Sequence, residues 1–353
     1  MVLLNMRIER LLAVILLMAI TISACQAAPA ISPTSTETAI PTLTPTKTVM
    51  PSPTATALPS LTPEPGWYEA LDPSYGVLKY QYAEVVNPRA RVYASFEDAY
   101  GKTGNYGHLP KSPAYVAYSS SRMSDAGQTF YQVNYGWMAA EDLQPLTPST
   151  FTGVLITRPV AFRFGWVLTD TQSVNTAGEP VQVYKRYQIV HEVPTTAQKP
   201  GFIANGSDEW LPENNVAMVN PQVPADAGPN TCRFIYANLN TQTLSVFDNC
   251  KLVFATLISS GKNSWTFEGR FAILYKVDYS SIMPPAESTS EYYIEGVPYF
   301  MTYSGNFGFH GAYWHDNFGT AASHGCINLA PADAKWLYEW AGLGERVIIS
   351  SGL

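Results

Sequence analysis

Charge is scarce in this chain. Only 14% of its 353 residues are charged, with 21 lysines and arginines against 28 aspartates and glutamates and a net charge of −7. It has no basic run to neutralise phosphates, which argues against a nucleic-acid partner. Long apolar runs are missing too. The stretch LLAVILLMAI has ten residues, and a membrane span needs about 20. Extended helical periodicity is absent before residue 330, which points to a mostly-β fold. Thiols and imidazoles are few, four cysteines and five histidines, so any chemistry that needs them rests on a short list.

The N-terminal segment reads as an address and not as fold. Arg7 and Arg10 precede the apolar stretch, which closes on Ile22-Ser23-Ala24-Cys25. A basic start, a short apolar core and small residues at the end make an export signal. The ending resembles the lipobox of bacterial lipoproteins, which implies that residues 1–25 are a lipoprotein signal peptide and that Cys25 carries the lipid. The ordinary alternative is a secretory signal cut near Ala27 or Ala28. Residues 26–66 are dominated by proline, threonine and serine, a composition that cannot bury a core. Extended as polyproline, such a linker reaches on the order of 100 Å.

Three cysteines remain beyond Cys25. Cys232 and Cys250 lie equidistant from Thr241, in a stretch that reads as two strands around a turn, so a hairpin sets them opposite each other. In an oxidising compartment a disulfide is expected there, worth about 3 kcal/mol on the chain-entropy argument. Cys326 is left unpaired.

Short alternating segments such as RVYASF, AYVAYSS, TFYQVN and VQVYKRYQIV follow Trp67, separated by Gly, Pro, Asn and Asp clusters. Trp137 to Leu143 echoes Trp210 to Val216, 73 residues later. The stretch GQTFYQVNYGWMAAEDL resembles the end of bacterial Src-homology-3-like barrels. Residues 67–148 are therefore read as one small β-barrel module and 149–229 as a second, divergent one, which either hold wall polymer or space the last domain. In that domain, 230–353, LVFATLI and RFAILYKV read as buried strands. Ala334, Leu337, Tyr338 and Ala341 follow helical spacing behind Pro331, and RVIIS closes the chain.

The stretch HGAYWHDNFGTAASHGCINL, 310–329, holds three histidines and the unpaired thiol. A zinc site from His310, His315, His324 and Cys326 is one reading, but the Gly between His324 and Cys326 suggests a turn and no CxxC or HExxH pattern supports it. A histidine-rich loop without chemistry fits His315 well. It explains poorly why Ser323-His324-Gly325-Cys326 sits between a strand and a helix, where backbone N–H groups bind an oxyanion and a helix end favours thiolate. The third reading is a Cys–His acyl-transfer site, with His310 sixteen residues upstream as base.

His310-Gly311 followed by Ser323-His324-Gly325-Cys326-Ile327-Asn328 resembles the signature of L,D-transpeptidase catalytic domains of the YkuD-like type. Thr266, Gly269 and Phe271 match that family's Thr-Pro-x-Gly-x-Phe turn, with Phe267 in place of the proline. The resemblance covers about 231–350. It implies an L,D-transpeptidase-type β-sandwich with a short helix after the catalytic cysteine, acting without cofactor or metal on peptidoglycan stem peptides. Cys326 would attack, His310 would move the proton, and the Gly311 carbonyl would orient its ring. Ser323, His324 and Gly325 would shape the loop, with N–H groups around Gly325 and Cys326 holding the oxyanion. Tyr303, Tyr313 and Trp314 would either wall the donor cleft or pack as core or lid, and Asn328 would contact the donor stem. The expected protein is an extracytoplasmic lipoprotein, anchored to membrane and facing the cell wall, that forms cross-links and bears on cell shape; its oligomeric state is open. An L,D-carboxypeptidase and a non-catalytic wall-binding lipoprotein are the alternatives.

Overall fold

In the computed structural model, strand Phe234–Asn238 is buried on both faces, and that one strand explains the layering. Ile235 and Ala237 point into one core with Leu244, Val246, Val347 and Ile349. Phe234 and Tyr236 point the opposite way, into a second core with Phe164, Trp166 and Val219. Successive side chains alternate across a strand, so a strand covered on both sides reads as a continuous apolar run with no hydrophobic–polar alternation.

Residues 66–352 are described, apart from Val77, 110–112, 229–231 and 285–290. They belong to one compact unit that runs from Pro59 to Leu353. The expected signal peptide with Cys25, and all of the 26–66 linker except Gly66, lie outside the described residues.

The architecture is mostly β, with two seven-stranded sheets at its centre. The first runs Tyr68–Ala70, Val154–Ile156, Lys251–Leu257, Thr243–Asp248, Phe234–Asn238, Arg346–Ser350 and Gly269–Ala272. The second runs Ile327–Leu329, Phe307–Gly311, Tyr293–Ser304, Ala114–Tyr118, Gln81–Val85 and Leu143–Leu146, with Tyr275–Ile282 also paired to Tyr293–Ser304. Met301, Phe309, Ile327 and Leu329 of the second sheet meet the first in the shared core, closed at one side by helix Pro331–Trp340 through Ala334 and Leu337.

Strands from the upstream segments thus sit inside both sheets. Val154–Ile156 pairs with Lys251–Leu257, and Ala114–Tyr118 pairs in parallel with the start of Tyr293–Ser304. The first upstream segment also forms a five-stranded sheet within residues 92–139, and Val92, Val116, Val133 and Met138 fill the core between it and the strands Gln81–Val85 and Ala114–Tyr118. The second segment has a three-stranded and a four-stranded sheet around Val167, Val190, Ile203, Leu211 and Met218. The 73-residue echo corresponds to the same local unit twice: strand, single 3-10 turn, strand, at 136–146 and again at 209–219.

Three local readings differ from the sequence expectation. RVYASF does not continue as a strand: Ser95 caps a short helix, Phe96–Gly101, by accepting the Asp98 N–H at 3.0 Å and donating to the Asp98 carboxylate at 2.8 Å. VQVYKRYQIV is broken by a turn in which Tyr187 has φ +67°, so its halves enter different sheets. RFAILYKV is likewise two strands, Gly269–Ala272 and Tyr275–Ile282, one in each large sheet.

Cys232 and Cys250 form the expected disulfide, closing a loop of 18 residues across the hairpin Phe234–Asn238 and Thr243–Asp248. Cys232→Ser with Cys250→Ser should lower stability by about 3 kcal/mol. Denaturant unfolding with the bond intact and removed checks this, and equal midpoints would contradict it.

Candidate active site

Cys326 stands at the entry to strand Ile327–Leu329, and the loop before it is bolted down on three sides. Ser323 Oγ accepts the Gly325 N–H at 3.0 Å and donates to the Cys326 carbonyl. The loop backbone is stitched to the segment 259–262: Asn328 and Ser259 exchange both N–H to carbonyl bonds at 2.9 Å, and the Lys262 N–H reaches the Ser323 carbonyl at 3.0 Å. Thr266 Oγ1 accepts the Gly261 N–H and donates to the Gly325 carbonyl, both at 2.7 Å. Gly325 has φ +129°, and a Cβ there would lie 2.2 Å from the Phe307 ring, so only glycine fits.

Thr266→Val keeps the shape and removes that hydroxyl. Two buried backbone groups would lose their partner, a cost of about 1–3 kcal/mol. Thermal unfolding should fall accordingly, and acylation of Cys326, the reaction that the sequence resemblance implies, should slow by about tenfold as the loop loosens. An unchanged acylation rate would deny Thr266 a part in shaping the site.

His310 lies on strand Phe307–Gly311, paired in parallel with Ile327–Leu329 so that His310 is level with Asn328. Cys326 precedes Asn328 by two residues, which on an extended strand puts both side chains on one face. His310, Cys326, Asn328, His324, His315 and Trp314 line a single cavity of about 700 Å³. The His310 ring is 2% exposed and stacks on Phe300 at 5.4 Å. Its Nδ1–H donates to the Gly311 carbonyl at 3.3 Å, which leaves Nε2 as the basic nitrogen.

Burial holds both partners neutral. The His310 pKa is pushed down to about 4, and that of the partly buried Cys326 thiol is pushed up to about 11. This corrects the expectation that a helix end lowers the thiol. Strand Ile327–Leu329 comes between Cys326 and the helix that begins at Pro331, and the field of a helix terminus fades within its first turn. The expected oxyanion amides are also reduced by one, because Ser323 already takes the Gly325 N–H.

Trp314 and Asn328 line the cavity; Tyr303 and Tyr313 do not. Tyr303 is 3% exposed and packs on Phe309 and Phe271 in the sandwich core. Tyr313 stacks on Tyr82 at 3.6 Å and donates to the Glu295 carbonyl at 2.5 Å. Strand alternation supplies the reason for Tyr303: it shares the Phe309 face, opposite to that of His310.

The structure adds residues that the motif did not name. Trp265 and Tyr292 stack on the His324 ring at 5.2 and 4.6 Å. Pro113 and Tyr115, from the first upstream segment, complete the cavity wall, with Tyr115 stacked near Trp314 at 6.3 Å. His315 also lines the wall, its Nε2 2.9 Å from the Asn328 side-chain amide. Adjacency to Thr266 was a signal for Trp265; Tyr115 had none, because its partner strand lies far along the chain. Among the described residues no three His, Cys, Asp or Glu side chains converge as a metal site needs.

The fold and site together define a mostly-β domain that turns a buried imidazole and an unpaired thiol to one cleft. Residues 233–349 match the YkuD family, the L,D-transpeptidase catalytic domain, and carry that domain in this chain. No curated protein matches the chain. Among solved structures it is similar to a mutant of the Enterococcus faecium L,D-transpeptidase, at 25% identity over 33% of this chain and 49% of that one, TM-score 0.30. It is also similar to the catalytic domain of the E. faecium enzyme, at 26% identity over 35% and 99%, TM-score 0.32. An L,D-transpeptidase from Mycobacterium smegmatis is similar at 17% identity over 56% and 89%, TM-score 0.31. The chain spans about half the length, 48% and 49%, of two of the solved structures it resembles.

Proposed function

We propose that the protein is a peptidoglycan L,D-transpeptidase with Cys326 as nucleophile and His310 as general base. The observation that carries this reading is the locked His310 ring: Nδ1–H is held on the Gly311 carbonyl, Nε2 is left as the basic nitrogen, and the residue lines the same cavity as Cys326. The donor is a tetrapeptide stem. Nε2 takes the thiol proton as sulfur attacks the carbonyl carbon of the third stem residue, and the oxyanion falls to the Cys326 N–H. The carbon–nitrogen bond to D-alanine then breaks, and His310 returns the proton to the leaving amine. The resulting thioester is opened by an acceptor amine, whose proton passes through His310 to restore the thiol. The Gly311 carbonyl fixes the tautomer, while Ser323, His324 and Gly325 hold the loop.

In the same reading the enzyme is an extracytoplasmic lipoprotein, lipidated at Cys25, whose 26–66 linker lets the folded unit reach the wall polymer. Incubation with a tetrapeptide stem and a second stem as acceptor should release D-alanine and give a cross-linked dimer. Free tripeptide as sole product would assign hydrolysis in place of transfer. Absence of any adduct on Cys326 would remove both.

A further inference from the structure

One residue of the cavity wall carries a buried polar atom that has no partner among the described residues. Asn328 is 2% exposed and lines the cavity beside Cys326, yet its Oδ1 is buried without a hydrogen-bond partner. Its Nδ2 stands 2.9 Å from His315 Nε2. His315 Nδ1 accepts the Asn317 N–H at 3.1 Å, so a neutral ring carries its proton on Nε2. Burial keeps that ring neutral, with its pKa pushed down to about 4. Nε2–H against an amide NH2 sets donor against donor. The two ends of an amide have the same shape and are told apart only by their bonding. A half-turn places Oδ1 on Nε2–H and puts the NH2 group where the unpartnered atom was.

The His315 loop is itself gripped from outside. The second upstream segment supplies Arg186, paired with the Asp316 carboxylate at 3.5 Å and bonded to the Asp316 carbonyl, and Tyr187, whose hydroxyl donates to the same carbonyl at 2.9 Å. Ser149 Oγ donates to the Asp316 carboxylate at 2.5 Å. The residue next to His315 is therefore fixed by three side chains.

We propose that His315 is a positioning residue: it holds the Asn328 side-chain oxygen so that the Asn328 NH2 faces the cleft as a donor to an oxygen acceptor of the bound donor stem, either its terminal carboxylate or a peptide carbonyl. The assignment rests on the transpeptidase reading for the identity of the substrate. It does not rest on it for the geometry.

Two measurements test it. Nitrogen-15 histidine NMR of the resting protein should show His315 as the Nε2–H tautomer; the Nδ1–H tautomer overturns the proposal, whatever the protein's activity. In acylation kinetics with a tetrapeptide stem, His315→Phe should raise KM about tenfold with kcat little changed, the loss expected for one hydrogen bond to substrate. His315→Gln, which restores a donor near the Nε2 position, should recover most of that loss, and thermal melting verifies that both variants fold. A KM unaffected by His315→Phe in a folded protein overturns the proposal. A donor capped as a C-terminal amide names the acceptor: a KM penalty seen in the native protein but not in His315→Phe assigns the carboxylate, and equal penalties assign a peptide carbonyl. A stem that never acylates the native protein refutes the transpeptidase reading and leaves the tautomer result to decide the geometry.

Discussion

Cys326→Ala should abolish thioester formation with a tetrapeptide stem, and Cys326→Ser should slow acylation by on the order of 10⁴ or more. The sulfur is the only free thiol among the described residues, since Cys232 and Cys250 are joined. A serine hydroxyl keeps the size but ionises far less readily and is a weaker nucleophile without a stronger base. Neither substitution disturbs packing much. The side chain is small and partly exposed, so melting should shift by less than about 0.5 kcal/mol. Intact mass spectrometry after incubation with the stem separates the outcomes: a mass gain retained in the alanine variant would place the acyl group elsewhere and end the assignment.

His310→Gln should reduce acylation by about 10²–10⁴ at neutral pH. Its pH dependence is more telling than its size. With the imidazole pKa at about 4 and the thiol at about 11, the native pair stays neutral across the interval between them. In the proposed mechanism sulfur then becomes nucleophilic only while its proton is moving to Nε2. The native rate should be flat from about pH 5 to about pH 10 and fall below that as the base protonates. In His310→Gln no internal base remains, so the rate should climb tenfold per pH unit as solvent ionises the thiol, until near pH 11. A variant with native rate at pH 7, or one with a flat profile, would show that His310 takes no proton.

How far the sequence reached depended on whether the information was local. That His310 and Cys326 would meet in one cavity was legible because both lie within twenty residues, 310–329, and a tight glycine turn marks the loop. The Cys232–Cys250 bridge followed from symmetric spacing about Thr241, and the last helix from Pro331 and the spacing of Ala334, Leu337 and Ala341. Tyr303 was misplaced because its strand, Tyr293–Ser304, is apolar on both faces, and a run with no alternation does not say which side meets the core. The partner of Ala114–Tyr118 lies nearly 180 residues downstream, and pairing over such a distance leaves no local mark. The depressed thiol expected from the nearby helix failed for a different reason: the sequence placed Cys326 close to the helix but did not show that packing would bury the sulfur, and burial raises its pKa.

The sharing of strands between segments has a practical outcome for anyone who wishes to isolate the catalytic part. A fragment starting near residue 230 would shed Val154–Ile156 from one sheet and Ala114–Tyr118 from the other. Two rows of bare amide and carbonyl groups would then face solvent, beside apolar surface once covered by Trp166 and Tyr82. Such margins recruit strands from neighbouring molecules, so the trimmed protein should clump where the longer one stays dispersed.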